Sequence, residues 1–368
     1  MKEKKIGILT FHRVYNYGAV IQAYALQKVL DNQGYNSEII DFTQRKQKDY
    51  TNIISIRNGI KRFIKTILLL CVCGKRIIRK KRFDAFIENK MQKSLKKYIN
   101  SEQIKDTNNL YDIFLIGSDQ VWNTKKTSDT SPVYFLSFVN SKKKIAYAPS
   151  VGIAKKNDLV EYKTELEKFS SISCRETGGA TVLSNLLGRD VPVVLDPTLL
   201  ATRDLYDEIS NIEYESNYIL YYTLDGKDKC TNNMDILCEL KKKFNLELKI
   251  ISPEWPFHKK YGEDVIDAGP EEFLSLIKNA ALVCTTSFHG TALSLEFERP
   301  FYVLEGRKIK DERKRSILEL VGATDRIISN LEEVKLLDSY KMDYKYISEN
   351  MNSLRKKSKE YLINALQE

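Results

Sequence analysis

Residues 280–299 constrain the fold of this chain more than any other stretch. An apolar run of strand length at 281–284 leads into a polar Thr/Ser turn at 285–287, after which apolar residues resume at helical spacing. This change of pattern at a polar turn is typical of a strand, a turn and a helix in an α/β protein. In such sheets small molecules bind beyond the carboxyl ends of the strands, which is where this turn is expected to lie.

His289 lies at the start of the predicted helix. The backbone N–H groups and the dipole of a helix start favour an anion, and an imidazole there can exchange protons near neutral pH. The plainer alternative is a histidine that only hydrogen-bonds a nearby carbonyl. Because His12 and His258 are the only other histidines, histidine-based chemistry has few other locations.

The length and composition fit a globular protein of two domains, since 368 residues are about twice the usual domain size. No apolar run approaches the ~20 residues that a membrane span needs. The six cysteines form no CxxC pair and no metal-ligand spacing with histidine, so we expect reduced thiols in a cytoplasmic protein and no metal site. They are Cys71, Cys73, Cys174, Cys230, Cys238 and Cys284.

The positive charge is concentrated in one part of the chain. Residues 45–97 hold 17 Lys/Arg and three acids, a net charge of +14, whereas the whole chain carries +10. Within this basic helical insert (about 45–100), residues 60–71 have the spacing of an amphipathic helix with a cationic face. That face could contact an anionic membrane, steer an anionic substrate, or simply be solvated. No nucleic-acid motif accompanies the charge, so no nucleic-acid partner is expected.

The first half of the chain opens with a strand, a helix and a second strand, the βαβ pattern of a parallel sheet. Asn16 and Tyr17 lie in the polar turn after the first strand. After a strand at 111–116, Asp119 and Trp122 follow in a second polar turn. Hydrogen-bonding groups beside an aromatic ring suit sugar binding, although a surface turn with an anchoring Trp has the same pattern. A helix at about 79–98 is also predicted.

Arg175 follows another predicted strand, where a guanidinium can bind phosphate or carboxylate with two hydrogen bonds. The alternative is that it pairs with an acid such as Glu176. The polar segment 201–216 is predicted to link two αβ domains, residues 1–205 on the acceptor side and residues 206–368 with the His289 donor site and the terminal helices. A cleft is expected between them.

Five motifs occur together in one order: NYGAVIQAYALQ, IGSDQVWN, SCRE, VLDPTLL and SFHGTALSLEFERPF. In this combination the chain, over roughly residues 7–326, resembles the polysaccharide pyruvyl transferase family. The resemblance implies a GT-B-like α/β fold of two Rossmann-like domains facing across a cleft. It also implies transfer of a pyruvyl group from phosphoenolpyruvate to a sugar of a cell-surface polysaccharide or its lipid-linked precursor, as a ketal, with no cofactor.

The resemblance also implies residue roles. His289 matches the family's acid/base histidine. Many members carry Arg two positions before it, where this chain has Ser287, so a donor contact is either missing or supplied by another residue, such as Lys308 or Arg313. The expected donor site consists of Arg175, Ser287, Gly290, Lys308 and Lys310, and the expected acceptor site of Asn16, Tyr17, Asp119 and Trp122.

Two other functions fit the same residues. One is a GT-B-type glycosyltransferase with a nucleotide-sugar donor, since a histidine at a helix start and a basic loop also suit a diphosphate, and the fold does not distinguish them. The other is a non-catalytic scaffold of a polysaccharide assembly complex, bound to the membrane through the helix at 60–71. Either protein would act in the cytoplasm, at the inner face of the membrane if it contacts lipid.

Overall fold

The computed structural model describes residues 4–43, 72–226, 233–253, 256, 258–305 and 311–368. The predicted amphipathic helix at 60–71 and the candidate donor residues Lys308 and Lys310 lie outside these ranges. The described chain divides into two compact units. The first unit contains residues 4–43, 87–201 and 350–368, and the second unit contains residues 72–86 and the described residues between 202 and 349.

The first unit is built on a parallel sheet with the strand order β2-β1-β3-β4-β5. Its chain runs from β1 to β2 on one side and then returns across β1 to β3, so the connections reverse direction between β1 and β3. Such a reversal is the topological switch point at which open α/β sheets bind ligands. The strands are β1 (Lys5–Leu9), β2 (Asn36–Ile39), β3 (Ile113–Ile116), β4 (Lys143–Ala146) and β5 (Ser171–Ile172).

The second unit has its own parallel sheet, with the order β8-β7-β6-β9-β10-β11. This is the order of dinucleotide-binding Rossmann folds, and its switch point lies between β6 and β9. The strands are β6 (Tyr218–Tyr222), β7 (Glu247–Ile251), β8 (Glu263–Asp264), β9 (Leu282–Thr285), β10 (Phe301–Leu304) and β11 (Ile327–Ile328). The strand predicted at 281–284 is therefore confirmed, shifted by one residue.

Helices connect the strands of both sheets and cover buried apolar strand residues. The longer ones are α1 (Tyr17–Asp31), α2 (Cys73–Lys90), α3 (Thr177–Leu187), α4 (Met234–Phe244), α5 (Pro270–Asn279), α6 (Phe288–Glu296), α7 (Glu312–Val321) and α8 (Lys345–Gln367). Shorter helices lie at Thr124–Thr127, Ser131–Tyr134, Lys156–Leu159, Lys163–Glu167, Pro197–Leu200, Arg203–Asp207 and Leu331–Lys335. No helix in the described ranges is long and apolar enough to cross a membrane.

The domain boundary differs from the predicted one at 205/206. The first unit ends at Ala201, and residues 350–368 return to it although they follow the second unit in sequence. Ser358 of α8 accepts a hydrogen bond from the backbone N–H of Leu195 (3.0 Å). Helical periodicity predicts that a terminal helix exists, but the sheet on which it packs is a tertiary property that periodicity does not specify.

One predicted helix also differs. The helix expected at 79–98 is α2, which ends at Lys90 because the next residues bond along the edge of β2: the N–H of Ile39 donates to Gln92 O, and the N–H of Ser94 donates to Ile39 O (both 2.9 Å). In the segment at 191–195, Val193 forms a single bridge with Cys174. Pro192 lacks the backbone N–H that a longer ladder needs.

Candidate functional site

In the second unit the turn from β9 to α6 is held by two threonines. Thr285 Oγ1 donates to the carbonyl of Tyr222 (2.7 Å) and accepts from the N–H of Ser287 (3.0 Å). Thr286 Oγ1 hydrogen-bonds Thr223 Oγ1 (2.7 Å), which joins the loops after β6 and β9. These contacts fix the turn at the switch point of the second sheet.

Ser287 is the N-cap of α6, with extended backbone angles (φ −98°, ψ 139°). The first helical hydrogen bond runs from the N–H of Thr291 to Ser287 O (3.1 Å). The N–H groups of the preceding first turn have no acceptor within the helix, and they point out of its positive end. The predicted Thr/Ser turn therefore places an anion-attracting helix start beyond the end of β9.

Gly290 allows α6 to lie against the strand ends. A Cβ atom at this position would lie 2.3 Å from Thr285 Oγ1 and 3.0 Å from Tyr222 Cδ1. No side chain fits at those distances without displacing the turn, so glycine is required by close packing. Gly290 was predicted as a donor-site residue. Its contacts show a packing role, which sets the position of its neighbour His289.

His289 occupies the first turn of α6, with 6% of the residue exposed. The ring of the preceding Phe288 meets the imidazole edge to face, with ring centroids 5.2 Å apart. The structure thus brings Ser287, His289 and Gly290 together at one helix start, as the sequence predicts. An imidazole in this position can deliver or accept a proton beside an anion held by the helix.

Lys314 is a residue of this site that was not predicted from the sequence. Its Nζ donates to the carbonyl of Thr286 (3.1 Å) and lies 3.8 Å from Glu305 Oε1. Only 3% of the residue is exposed, and burial lowers the pKa of its ammonium group below the ordinary value. Within the charged run at 311–315 nothing distinguishes this lysine, because only the packing of α7 buries it.

Arg313, one of the residues expected to supply the donor contact that Ser287 lacks, is already paired with an acid. Its Nε and Nη2 donate to the two carboxylate oxygens of Asp311 (2.9 and 2.6 Å), so its charge is neutralised within α7 and its cap. The pairing also changes the pKa of Asp311. Burial alone would raise this pKa, but the Arg313 guanidinium has the larger effect and the pKa is lowered.

In the first unit, Asn16 and Asp119 lie in the loops after β1 and β3, at the switch point of that sheet. Asn16 is the N-cap of α1 and accepts from the N–H of Ala19 (3.2 Å). Asp119 adopts a left-handed backbone conformation (φ 66°). Gln22 joins the two loops: its Nε2 donates to Thr10 Oγ1 (2.9 Å), and its Oε1 accepts from the N–H of Ser118 (3.2 Å).

Trp122 and Tyr17 do not fit the predicted acceptor role, because both are completely buried. The Trp122 indole N–H donates to Tyr134 O (3.0 Å), and its ring stacks on Phe135 with centroids 5.6 Å apart. Trp122 is thus the anchoring aromatic of the alternative interpretation. Whether these side chains are buried depends on which other elements pack over the turn, and the local sequence does not specify that packing.

Arg175 is paired in the way that its alternative anticipated, and with more acids. Its guanidinium lies 2.7 Å from Asp196, 3.6 Å from Asp119 and 3.9 Å from Glu176, with 1% of the side chain exposed. Burial by itself would lower the pKa of Arg175, but the three carboxylates raise it above the ordinary value. One cation among three acids leaves a negative surplus, which argues against a role in holding an anionic donor.

His12 follows β1 and is buried in the first unit. Its Nδ1 lies 3.2 Å from Thr10 O, and its Nε2 lies 3.2 Å from Asp41 Oδ1. Both partners are acceptors, so both contacts are hydrogen bonds when both ring nitrogens carry protons. This imidazole is fully occupied by the protein.

A cavity in the second unit lies far from the switch point of its sheet. It has a volume of about 450 Å³, is located at the amino ends of β6, β7 and β8, and is lined by residues that include Asn217, Glu247 and Glu263. Its acidic lining does not suit an anion. Among the described residues no group of His, Cys, Asp or Glu has a geometry that could hold a metal ion.

Comparisons with known proteins identify both the family and the fold. The family model for polysaccharide pyruvyl transferase matches residues 16–306, more than three quarters of the chain. No curated protein matches. Among solved structures, the UDP-GlcNAc 2-epimerase of Methanocaldococcus jannaschii, in complex with UDP-GlcNAc and UDP, is similar at 14% identity, covering 99% of both chains with a TM-score of 0.54.

Two further structures show the same fold. MnaA of S. aureus with UDP is 12% identical, covering 99% of this chain and 96% of its own, with a TM-score of 0.54. UGT89C1 of Arabidopsis thaliana with UDP-L-rhamnose is 11% identical, covering 98% and 94%, with a TM-score of 0.52. The two parallel α/β sheets and these similarities confirm a GT-B-like fold with two Rossmann-like domains.

Proposed function

Because this chain belongs to the polysaccharide pyruvyl transferase family, we propose that it transfers a pyruvyl group from phosphoenolpyruvate to a sugar of a cell-surface polysaccharide or its lipid-linked precursor. The observation that carries the proposal is the position of His289 in the first turn of α6, at the switch point of the second sheet. There one imidazole adjoins a helix start that attracts anions.

Phosphoenolpyruvate has a phosphate and a carboxylate. The start of α6 suits one of these anionic groups, because the helix dipole is positive there and the first-turn N–H groups are directed outwards. The N–H groups in the first turn of a helix are directed towards an anion at its N-terminus, and buried surroundings strengthen such contacts. Ser287 adds a hydroxyl at the N-cap. In this chain the N-cap region is uncharged, so the cationic contact that many family members place at this position comes from another residue.

The reaction needs protons at two stages, and His289 is suited to both. Its imidazolium protonates the methylene carbon of the donor, which makes the adjacent carbon electrophilic. The first sugar hydroxyl forms a C–O bond there and returns a proton to the imidazole. The second hydroxyl then forms the other C–O bond while the bond to phosphate breaks, and its proton leaves with the phosphate. The products are the ketal and inorganic phosphate.

For the acceptor we propose Asn16 and Asp119, which follow the adjacent strands β1 and β3 at the switch point of the first sheet. Their loops are tied together through Gln22, so the polar groups are held before a sugar binds. Carboxylate and amide groups in such loops suit sugar hydroxyls as hydrogen-bond partners.

The proposal includes a cytoplasmic location at the inner face of the membrane. The first part of α2, residues 73–83, carries six Lys/Arg and no acid, and Ile77 and Ile78 are 38% and 44% exposed. Cations beside exposed aliphatic side chains suit an anionic lipid surface. Charge reversal at Lys75 and Lys81 should reduce co-sedimentation with phosphatidylglycerol vesicles, whereas reversal at Lys356 and Lys359 of α8 should not; equal binding by both variants would contradict the contact.

The donor is tested by thermal unfolding, since a ligand that binds the folded state raises the melting temperature. We expect phosphoenolpyruvate to raise it, with phosphate and pyruvate, each added alone, raising it less. Incubation with a polysaccharide fragment or precursor should then release inorganic phosphate in step with ketal formation, followed by the proton NMR signal of the new methyl group. A shift with UDP-GlcNAc or UDP-L-rhamnose and none with phosphoenolpyruvate would overturn the proposal in favour of a nucleotide-sugar glycosyltransferase.

A further inference from the structure

Lys314 is the buried lysine that reaches the turn between β9 and α6. Its Nζ lies 3.1 Å from the carbonyl of Thr286, the residue before the N-cap of α6 and three before His289. This places an ammonium group at the carboxyl end of β9, where the site of the proposed reaction is located. From the sequence, the cationic contacts here were expected from Arg175, Arg313, Lys308 or Lys310.

Resting on the proposed function, we propose that Lys314 binds the donor's phosphate or carboxylate and replaces the arginine that many family members carry at position 287. Arg175 belongs to the first unit and is surrounded by three carboxylates. Arg313 is neutralised by Asp311 through two hydrogen bonds. Lys314 has a different arrangement, because its nearest acid oxygen within the described ranges is 3.8 Å away, beyond hydrogen-bonding distance.

The neighbouring carboxylate is shared, which leaves Lys314 with capacity for an anion. Glu305 accepts from Arg315 through Oε2 (2.9 Å) and from the N–H of Asp311 through Oε1 (3.2 Å). An ammonium group has three donors, and here one is directed to the Thr286 carbonyl. An incoming anion would therefore gain a charge-assisted hydrogen bond without Lys314 breaking an existing one.

Burial makes this contact strong. The residue is 3% exposed, so water competes little for its donors, and a charge pair in such surroundings is stronger than one on the surface. Among the residues that the structure describes, the charged groups facing it are Glu305 after β10, Asp311 and Arg313 at the start of α7, and Asp225 after β6. An anion at the start of α6 would add a further group that stabilises the charged form of the lysine.

The test is the affinity for phosphoenolpyruvate, measured by calorimetric titration on the full chain. Lys314→Met should weaken binding by about 10- to 100-fold, the range for losing a hydrogen bond to a charged group. Arg315→Met is the matched control, since Arg315 pairs with the same Glu305 and should change the affinity less than about threefold. Lys314→Arg should retain most of the affinity and should keep it at alkaline pH, where the wild-type lysine loses its proton.

The outcomes separate this inference from the function on which it rests. If the wild type binds phosphoenolpyruvate and Lys314→Met binds it equally well, or if Lys314→Met and Arg315→Met lose affinity equally, Lys314 does not contact the donor. If the wild type does not bind phosphoenolpyruvate, the proposed function itself is wrong. Circular dichroism melts of each variant identify loss of folding, and Lys314→Arg tests the contact if Lys314→Met fails to fold.

Discussion

The two units place a histidine at the same kind of location and use it differently. His12 follows β1 of the first unit and His289 follows β9 of the second, and each strand adjoins a switch point. The His12 ring lies between Thr10 O and Asp41, both at 3.2 Å. His289 lies instead on the first turn of a nine-residue helix whose N–H groups favour an anion.

The cations at the two switch points differ in the same way. Arg175 lies within 4 Å of three carboxylates, whereas Lys314 donates to a carbonyl and has its nearest carboxylate oxygen, among the residues described, at 3.8 Å. The position at a strand end is therefore common to both units, but the sign of the local charge differs. Under the proposed function, the first unit would bind sugar hydroxyl groups and the second an anion.

The largest effect should come from exchanging the two histidines for alanine. His289→Ala should lower kcat for pyruvyl transfer by about 10²- to 10⁴-fold, the usual contribution of general acid–base catalysis, with a near-normal melting temperature. His12→Ala should lower the stability by about 1.5–3 kcal/mol, because it removes hydrogen bonds to a charged partner. Steady-state assays and thermal melts check both, and wild-type turnover in a folded His289→Ala protein would contradict the assigned role.

The next largest effect should follow from breaking the buried charge cluster. Arg175→Met leaves the carboxylates of Asp196, Asp119 and Glu176 without their cation and should destabilise the first unit by about 3–5 kcal/mol. Urea unfolding followed by the fluorescence of Trp122, in a Trp255→Phe background, reports on this unit. Lys314→Met serves as the comparison and should leave that transition unchanged. A loss below about 1 kcal/mol in Arg175→Met would mean that the cluster contributes little.

A smaller loss is expected from adding one methyl group at Gly290. The new Cβ would lie 2.3 Å from Thr285 Oγ1, so Gly290→Ala should destabilise the second unit by about 1–3 kcal/mol and reduce kcat by displacing His289. Gly74 of α2 is the matched control because no neighbouring atom would lie within 4 Å of a Cβ atom there, and Gly74→Ala should be neutral or stabilising by up to about 1 kcal/mol. Equal melting temperatures for the two variants would contradict the packing role.

The last prediction concerns how the stability depends on pH in acid. Burial alone would raise the pKa of Asp41, but hydrogen bonds from Arg13 and His12 outweigh it and hold the pKa well below its usual range. A carboxyl whose pKa is lowered in the folded state adds stability above its unfolded pKa, about 3.9, and loses it as the pH falls towards the folded value. In Asp41→Asn the free energy of unfolding should therefore fall less steeply with decreasing pH below about pH 4 than in the wild type, as measured by urea unfolding at several pH values. An unchanged slope would show that Asp41 does not cause the loss of stability in acid.

The sequence predicted most elements that position the site. The turn between β9 and α6, with Ser287, His289 and Gly290, follows from local pattern, because an apolar strand, a polar N-cap residue and helical spacing are properties of neighbouring residues. The family was also evident from its motifs, and the matched residues 16–306 confirm it. The α/β fold with two parallel sheets follows from the same local alternation of strands and helices.

The tertiary structure alone decided which side chains are covered and by what. Trp122 and Tyr17 were predicted to face a ligand from polar turns, and only the packing of other elements shows them to be completely buried. Arg175 meets Asp196, 21 residues away, and Lys314 meets Thr286, 28 residues away. Local pattern specifies elements because it depends on adjacent residues, whereas burial and charge pairing depend on contacts across the sheet that no short stretch of sequence contains.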